Sequence, residues 1–127
     1  MKDISELNPH KYPTVPNVDK NLQTLFERLV EFQDAWKKDF VITSGLRSEA
    51  QQEGLIAAGK STAHASKHIA GAAADILDED GSLAEFVKSN LPLMQKIGFW
   101  MEEFSHTKGW VHVQIMPPGS GNRVFIP

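Results

Sequence analysis

His68, Asp75 and His112 are the residues whose types and spacing could do chemistry. Two imidazoles and one carboxylate make the donor set of a three-ligand zinc site with a fourth position open. Zinc takes histidine nitrogen and aspartate oxygen at about 2.0–2.2 Å, so donor atoms on one ion must lie within roughly 3–3.5 Å of each other. His68 and Asp75 are too far apart in the chain for regular structure to do this. A strand would separate them by about 23 Å, and a helix by about 10 Å along its axis. The chain between them must fold back, and in Ser66-Lys67-His68-Ile69-Ala70-Gly71-Ala72-Ala73-Ala74-Asp75 the residue suited to the bend is Gly71, which tolerates positive φ. Ala72, Ala73 and Ala74 leave Asp75 room to point inward. His112 lies in Trp110-Val111-His112-Val113-Gln114-Ile115, where alternation sets it opposite Val111, Val113 and Ile115. Taken alone, that pattern is better described as a satisfied histidine on a solvated sheet face.

The elements that must position these residues follow from punctuation and period. Asp75 falls in a short strand expected over Ala73 to Leu77, stopped by the turn-rich Asp78-Glu79-Asp80-Gly81, whose acids read as solvated charges. A strand from Phe99 to Glu103, a turn through Ser105 to Gly109 and the strand bearing His112 read as a hairpin. Upstream, Leu22, Leu25, Phe26, Leu29, Phe32 and Trp36 share a stripe of a helix expected over Val18 to Lys37, with Asn17 as its cap. A strand from Phe40 to Thr43 leads into Ser44-Gly45. Ser48-Glu49-Ala50-Gln51 and Ser82-Leu83-Ala84-Glu85 both have the form of capping boxes. The first opens a helix expected to end near Ala58, with Gly59 as its stop; the second opens one interrupted at Pro92 and resuming to Ile97. Mixed helices and strands without βαβ regularity predict an α+β fold, a central antiparallel sheet packed with helices. One domain is expected over residues 1–127, with an irregular arm over 1–17, broken by Pro9, Pro13 and Pro16. An irregular tail is expected over 117–127, its Val124-Phe125-Ile126 laid back on the body.

The pattern Ser66-x-His68-x-x-Gly71-x-Ala73-x-Asp75, preceded by Thr43-Ser44-Gly45-Leu46-Arg47-Ser48 and followed by Trp110-Val111-His112, closely resembles the zinc D-alanyl-D-alanine carboxypeptidases. That family includes L-alanyl-D-glutamate endopeptidases of phages and bacteria, and the hedgehog signalling domains are distant relatives. The resemblance runs from about Phe40 to Ile115. It implies a hedgehog-like fold, one zinc per chain held by His68, Asp75 and His112, and Arg47 facing the substrate carbonyl. Ser66 and Trp110 join Arg47 as the positions expected to contact substrate. Many members carry an acid three residues before the last ligand as general base, where this chain has Gly109; the place of a second histidine found in some relatives is taken by Trp110. Glu102 and Glu103 are the remaining candidates for the base. Being adjacent on a strand they point to opposite faces, and periodicity leaves the choice open. Resemblance to hedgehog-type domains, where a glutamate closes the equivalent strand, favours Glu103.

Other residues carry less chemistry. His64 and His68 are spaced like a His-x-x-x-His motif, but Ala65 stands where a glutamate is needed, so His64 reads as a surface or supporting residue. Ser66 on its own reads as a turn-stabilising hydroxyl. His10 and His106 read as solvated, with His106 near enough to the expected mouth to touch substrate. No Gly-x-Ser-x-Gly elbow or phosphate-cradling loop occurs.

Composition bounds the reading. The chain has 127 residues, 41% of them apolar, enough for one core. It has no cysteine, which excludes disulfides and a thiolate zinc site. A net charge of −3 gives no pull toward nucleic acid or an anionic membrane. No apolar run resembles a secretory signal or a membrane span, so cytoplasmic synthesis is expected, with release as a phage lysin or from a virion as possible routes, and a monomer is the expected state. By resemblance, the expected activity is zinc-dependent hydrolysis of an amide bond in peptidoglycan stem peptides, of the D-Ala-D-Ala carboxypeptidase or the L-Ala-D-Glu endopeptidase type. The alternative is a catalytically silent zinc-binding structural or binding module of the same fold.

Overall fold

The computed structural model describes residues 1–50, 54, 57–58 and 66–127. The helix expected from Ser48 to Ala58 falls largely on positions outside the described residues, and Gly59 and His64 lie outside them.

Helix α1 (Pro16–Trp36) begins earlier than its apolar stripe suggests. Pro16 occupies the first helical position, where its fixed φ suits the helix and its missing N–H costs nothing. The flanking residue is Val15, with no side-chain cap, and Asn17 lies inside the helix rather than capping it. The stripe itself is as expected: Leu22, Leu25, Leu29 and Phe32 are all buried. The helix stops at Lys37, which takes a left-handed conformation and donates its N–H to Gln33.

Among the described residues five strands form one sheet in the order β1-β2-β4-β3-β5, with β1 Ile42–Ser44, β2 Ala73–Asp78, β3 Trp100–Glu102, β4 Gly109–Gln114 and β5 Val124–Phe125. The first three pairings are antiparallel; β5 joins the edge parallel to β3. The period of two then sorts the side chains. Ala74, Ile76, Met101, Val111 and Val113 face the helices and are buried with Leu29, Phe32, Val87 and Met94 in one core. Asp75, Glu102 and His112 take the other face.

Helices α2 (Ser82–Ser89) and α3 (Leu91–Ile97) cover the core face. The capping box expected at Ser82 does not form. Gly81 is the flanking residue, and the carboxylate of Asp78 accepts from the N–H groups of Leu83 and Ala84, both at 2.9 Å. Asp78 is buried at the end of β2, a helix cap rather than a solvated charge. Pro92 sits in the first turn of α3, so the break between the helices falls at Asn90.

The ends of the chain are more ordered than an irregular arm and tail. Ile4–Leu7 is a 3₁₀ turn with a reciprocal capping box between Asp3 and Glu6, and Met1 and Leu7 are buried in the core. The Leu7 carbonyl accepts from Leu46 N at 2.7 Å. A β-carbon on Gly45 would lie 2.3 Å from that carbonyl oxygen, so only glycine lets β1's exit pass this close. In the tail, Val124–Phe125 is a strand of the sheet.

Candidate metal centre

His68 sits in the reversal that its spacing to Asp75 demands. Ser66 Oγ accepts from His68 N at 3.1 Å, the His68 carbonyl accepts from Gly71 N at 3.2 Å, and Gly71 takes φ +70°. The same carbonyl accepts from Arg47 N at 3.2 Å, tying the turn to the chain leaving β1. Gly71 packs against Val18 and Leu22 of α1, which anchors the turn on the core. Asp75 and His112 face each other directly across β2 and β4. Pairing on adjacent strands, rather than a loop, sets their separation.

The three donor groups converge. Asp75 Oδ1 lies 3.4 Å from His68 Nε2 and 2.9 Å from His112 Nδ1, and donor atoms of all three residues fall within 4.8 Å of one another. All three residues are buried. His68 Nδ1 donates to the Gly45 carbonyl at 2.8 Å, which leaves Nε2 as the nitrogen with a lone pair, turned toward Asp75. That Nε2 is buried, with no hydrogen-bond partner among the described residues. An orphaned buried polar atom costs about 1–3 kcal/mol, and its place beside a carboxylate and a second imidazole is what a divalent metal would satisfy. Nitrogen, nitrogen and oxygen donors suit zinc.

Gln114, two positions beyond His112 on the same face, is a supporting residue that the sequence reading missed. Its Nε2 donates to the Met116 carbonyl at 2.8 Å, and its Oε1 lies 2.8 Å from His112 Nε2. A carbonyl can only accept, so the amide nitrogen must face Met116 and Oε1 must take the His112 Nε2 proton. His112 therefore offers Nδ1 to the centre. The period of two that placed His112 also pointed to Gln114.

Electrostatics follow from this geometry. Burial opposes ionisation of Asp75, but the His68 imidazole beside it and the hydrogen bond with His112 hold its carboxyl well below the usual range. Burial works against protonation of His112, yet its hydrogen bond to Asp75, the Asp75 charge and the Glu102 charge together raise it above its ordinary value.

A cavity of about 320 Å³ opens onto the three residues. Arg47, Ser66 and Trp110 line it, as does Glu102. Arg47 Nε donates to Ser44 Oγ at 3.0 Å and its Nη2 to Asp75 Oδ2 at 3.3 Å. The expectation for Glu103 is not met by its placement. Its carboxylate accepts from the backbone N–H and hydroxyl of Ser105 at the surface, and faces a separate hollow with Asp78 and Lys108. Glu102 lies on the site face, its Oε1 3.8 Å from His112 Nδ1. Register supplies the reason: Trp100 pairs with Gln114 and Met101 with Val113, so one further step sets Glu102 opposite His112. His106, exposed in the 3₁₀ turn Phe104–His106, does not line the cavity. The sequence reading also missed Phe125, which β5 brings to the cavity wall beside Glu102.

A family model described as Peptidase M15 matches residues 5–114. Among solved structures, the chain is similar to the L-Ala D-Glu endopeptidase ChiX of Serratia marcescens, with 21% identity and a TM-score of 0.53 over 87% of this chain and 95% of that one. No curated protein sequence matches the chain.

Proposed function

From the premise that this chain belongs to the M15 peptidase family, we propose that it is a zinc-dependent peptidase cutting an amide bond of peptidoglycan stem peptides. The observation that carries the reading is the convergence of His68, Asp75 and His112, with the His68 Nε2 orphan among them, at the floor of a cavity that also holds Glu102 and Arg47. Zinc held by those three residues would supply a water of lowered pKa and a Lewis acid for the scissile carbonyl.

The chain's own residues divide the remaining work. Glu102, beside the Nδ1 atom of His112, is placed to take the proton of the attacking water and return it to the leaving amine. Arg47, held by Ser44 and Asp75, presents a fixed positive charge to the oxygen of the carbonyl under attack. Ser66 holds the His68 turn through its hydroxyl and also borders the cavity, while Trp110 forms part of its wall. The Serratia enzyme is named for the L-Ala-D-Glu bond; D-Ala-D-Ala is the other bond type to test. Gly109, standing where related peptidases carry an acid, is the observation behind a second reading, a zinc-binding module without hydrolysis.

Mass spectrometry of peptidoglycan digested with the zinc-loaded protein tests both. New amine termini on D-Glu or loss of terminal D-Ala identifies the peptidase and its bond. Stoichiometric zinc with an unaltered digest assigns the silent module instead.

A further inference from the structure

We infer that Lys67 is a specificity-determining residue, receiving the free α-carboxylate of the D-amino acid whose amine leaves. The inference deepens the peptidase reading and rests on it. Lys67 lies between Ser66 and His68 in the reversal, is half-buried, and lines the same cavity as the metal centre. Its carbonyl accepts from Ala72 N at 2.9 Å, which fixes its backbone in the turn. Arg47 and Lys67 supply the two lysine or arginine charges on the cavity wall among the described residues. Arg47 is committed to Asp75 at 3.3 Å and to Ser44 at 3.0 Å. Moving it onto a substrate carboxylate would uncover the charge of a metal-ligand carboxylate. Lys67, among the described residues, has no carboxylate within ion-pair distance and no hydrogen bond from its side chain, so its charge is available to a ligand.

The substrate chemistry supplies one matching group. In an L-Ala–D-Glu bond the glutamate is extended through its γ-carboxyl, which leaves its α-carboxylate one carbon from the nitrogen that leaves. In a D-Ala–D-Ala bond the terminal residue carries its α-carboxylate in the same place. Both bond types therefore present an anion at a fixed distance from the scissile nitrogen, close to the reacting centre and within the cavity Lys67 borders. A lysine ammonium is a mobile point charge suited to one carboxylate without bidentate geometry.

The test uses zinc-loaded protein and two substrate pairs. One is a muramyl stem peptide with the D-Glu α-carboxylate free or converted to the carboxamide; the other ends in D-Ala-D-Ala as free acid or as amide. The parent is expected to favour the free acid of the pair it cuts by about tenfold to a hundredfold in kcat/KM, the range of one hydrogen bond to a charged group. Lys67→Met should abolish that preference by raising KM for the acid, leaving turnover of the carboxamide and zinc content unchanged. Lys67→Arg should restore most of the preference. Equal cleavage of acid and carboxamide by the parent, or an undiminished preference in Lys67→Met, overturns the inference while the peptidase reading stands. Hydrolysis of neither pair by the parent overturns both.

Discussion

Glu102 and Glu103 are neighbours in sequence, yet Glu102 Oε1 lies 3.8 Å from His112 Nδ1 while the Glu103 carboxylate folds back onto Ser105 in solvent. One step along a strand separates the interior of the metal cavity from the outer surface of the turn.

That relationship makes the pair a matched test. Glu102→Gln should retain fold and zinc and lose about a hundredfold to ten-thousandfold in turnover, the usual contribution of a positioned acid-base group. Glu103→Gln, which removes a solvated carboxylate, should stay within a few-fold of the parent. Steady-state kinetics on a stem peptide, with zinc measured in each sample, decides. A reversed order would mean that Glu103 reaches the centre despite its place on the opposite face.

The ligand set is tested by metal content. The protein should bind about one zinc per chain, and His68→Ala or His112→Ala should abolish tight binding because three ligands are the minimum for such a site. Full zinc by atomic emission in either variant would remove that residue from the centre.

Gln114 should matter through His112. Gln114→Leu removes the acceptor that holds the Nε2 proton and turns Nδ1 toward Asp75. Loss of such a supporting partner typically weakens metal binding about tenfold to a hundredfold. Competition with a chromophoric chelator measures it, and unchanged affinity would show that Asp75 and packing suffice to orient the ring.

Arg47→Ala should lower turnover by an amount equivalent to about 3–4 kcal/mol, against roughly 0–1 kcal/mol for a surface ion pair. Its side chain also steadies Asp75, so zinc content must be measured beside kcat. A loss that is wholly recovered at high zinc would assign Arg47 to Asp75 alone.

The raised pKa of His112 predicts opposite pH trends with and without metal. In the metal-free protein the folded-state value lies above the ordinary 6.5, so this contribution to stability is fully present below about pH 6.5 and is lost as pH rises through the folded value. Zinc requires the imidazole deprotonated, so in excess zinc its added stability should instead grow over the same interval. Thermal melts across that range check both signs; parallel curves would exclude His112 as the group responsible.

Much of this site was legible in one dimension. The distance between His68 and Asp75 forces a reversal whatever the fold, and Gly71 supplies it at φ +70°. The period of two around His112 separated it from Val111 and Val113, and the stripe of α1 named its buried face, because side-chain direction follows from backbone geometry alone. The α+β fold was legible because helical and strand patterns mix along the chain without βαβ regularity. What sequence could not fix was pairing. Only the register of β3 on β4 decides that Glu102 rather than Glu103 meets His112, since alternation splits adjacent residues between faces without saying which face is which. Only the packing of β2 against α2 turns Asp78 from one acid of a charged run into a buried cap. Only the return of the tail to β3 brings Phe125 to the cavity. Each of these depends on contacts between segments far apart in the chain, and local propensity carries no record of which partner a strand or helix end will meet.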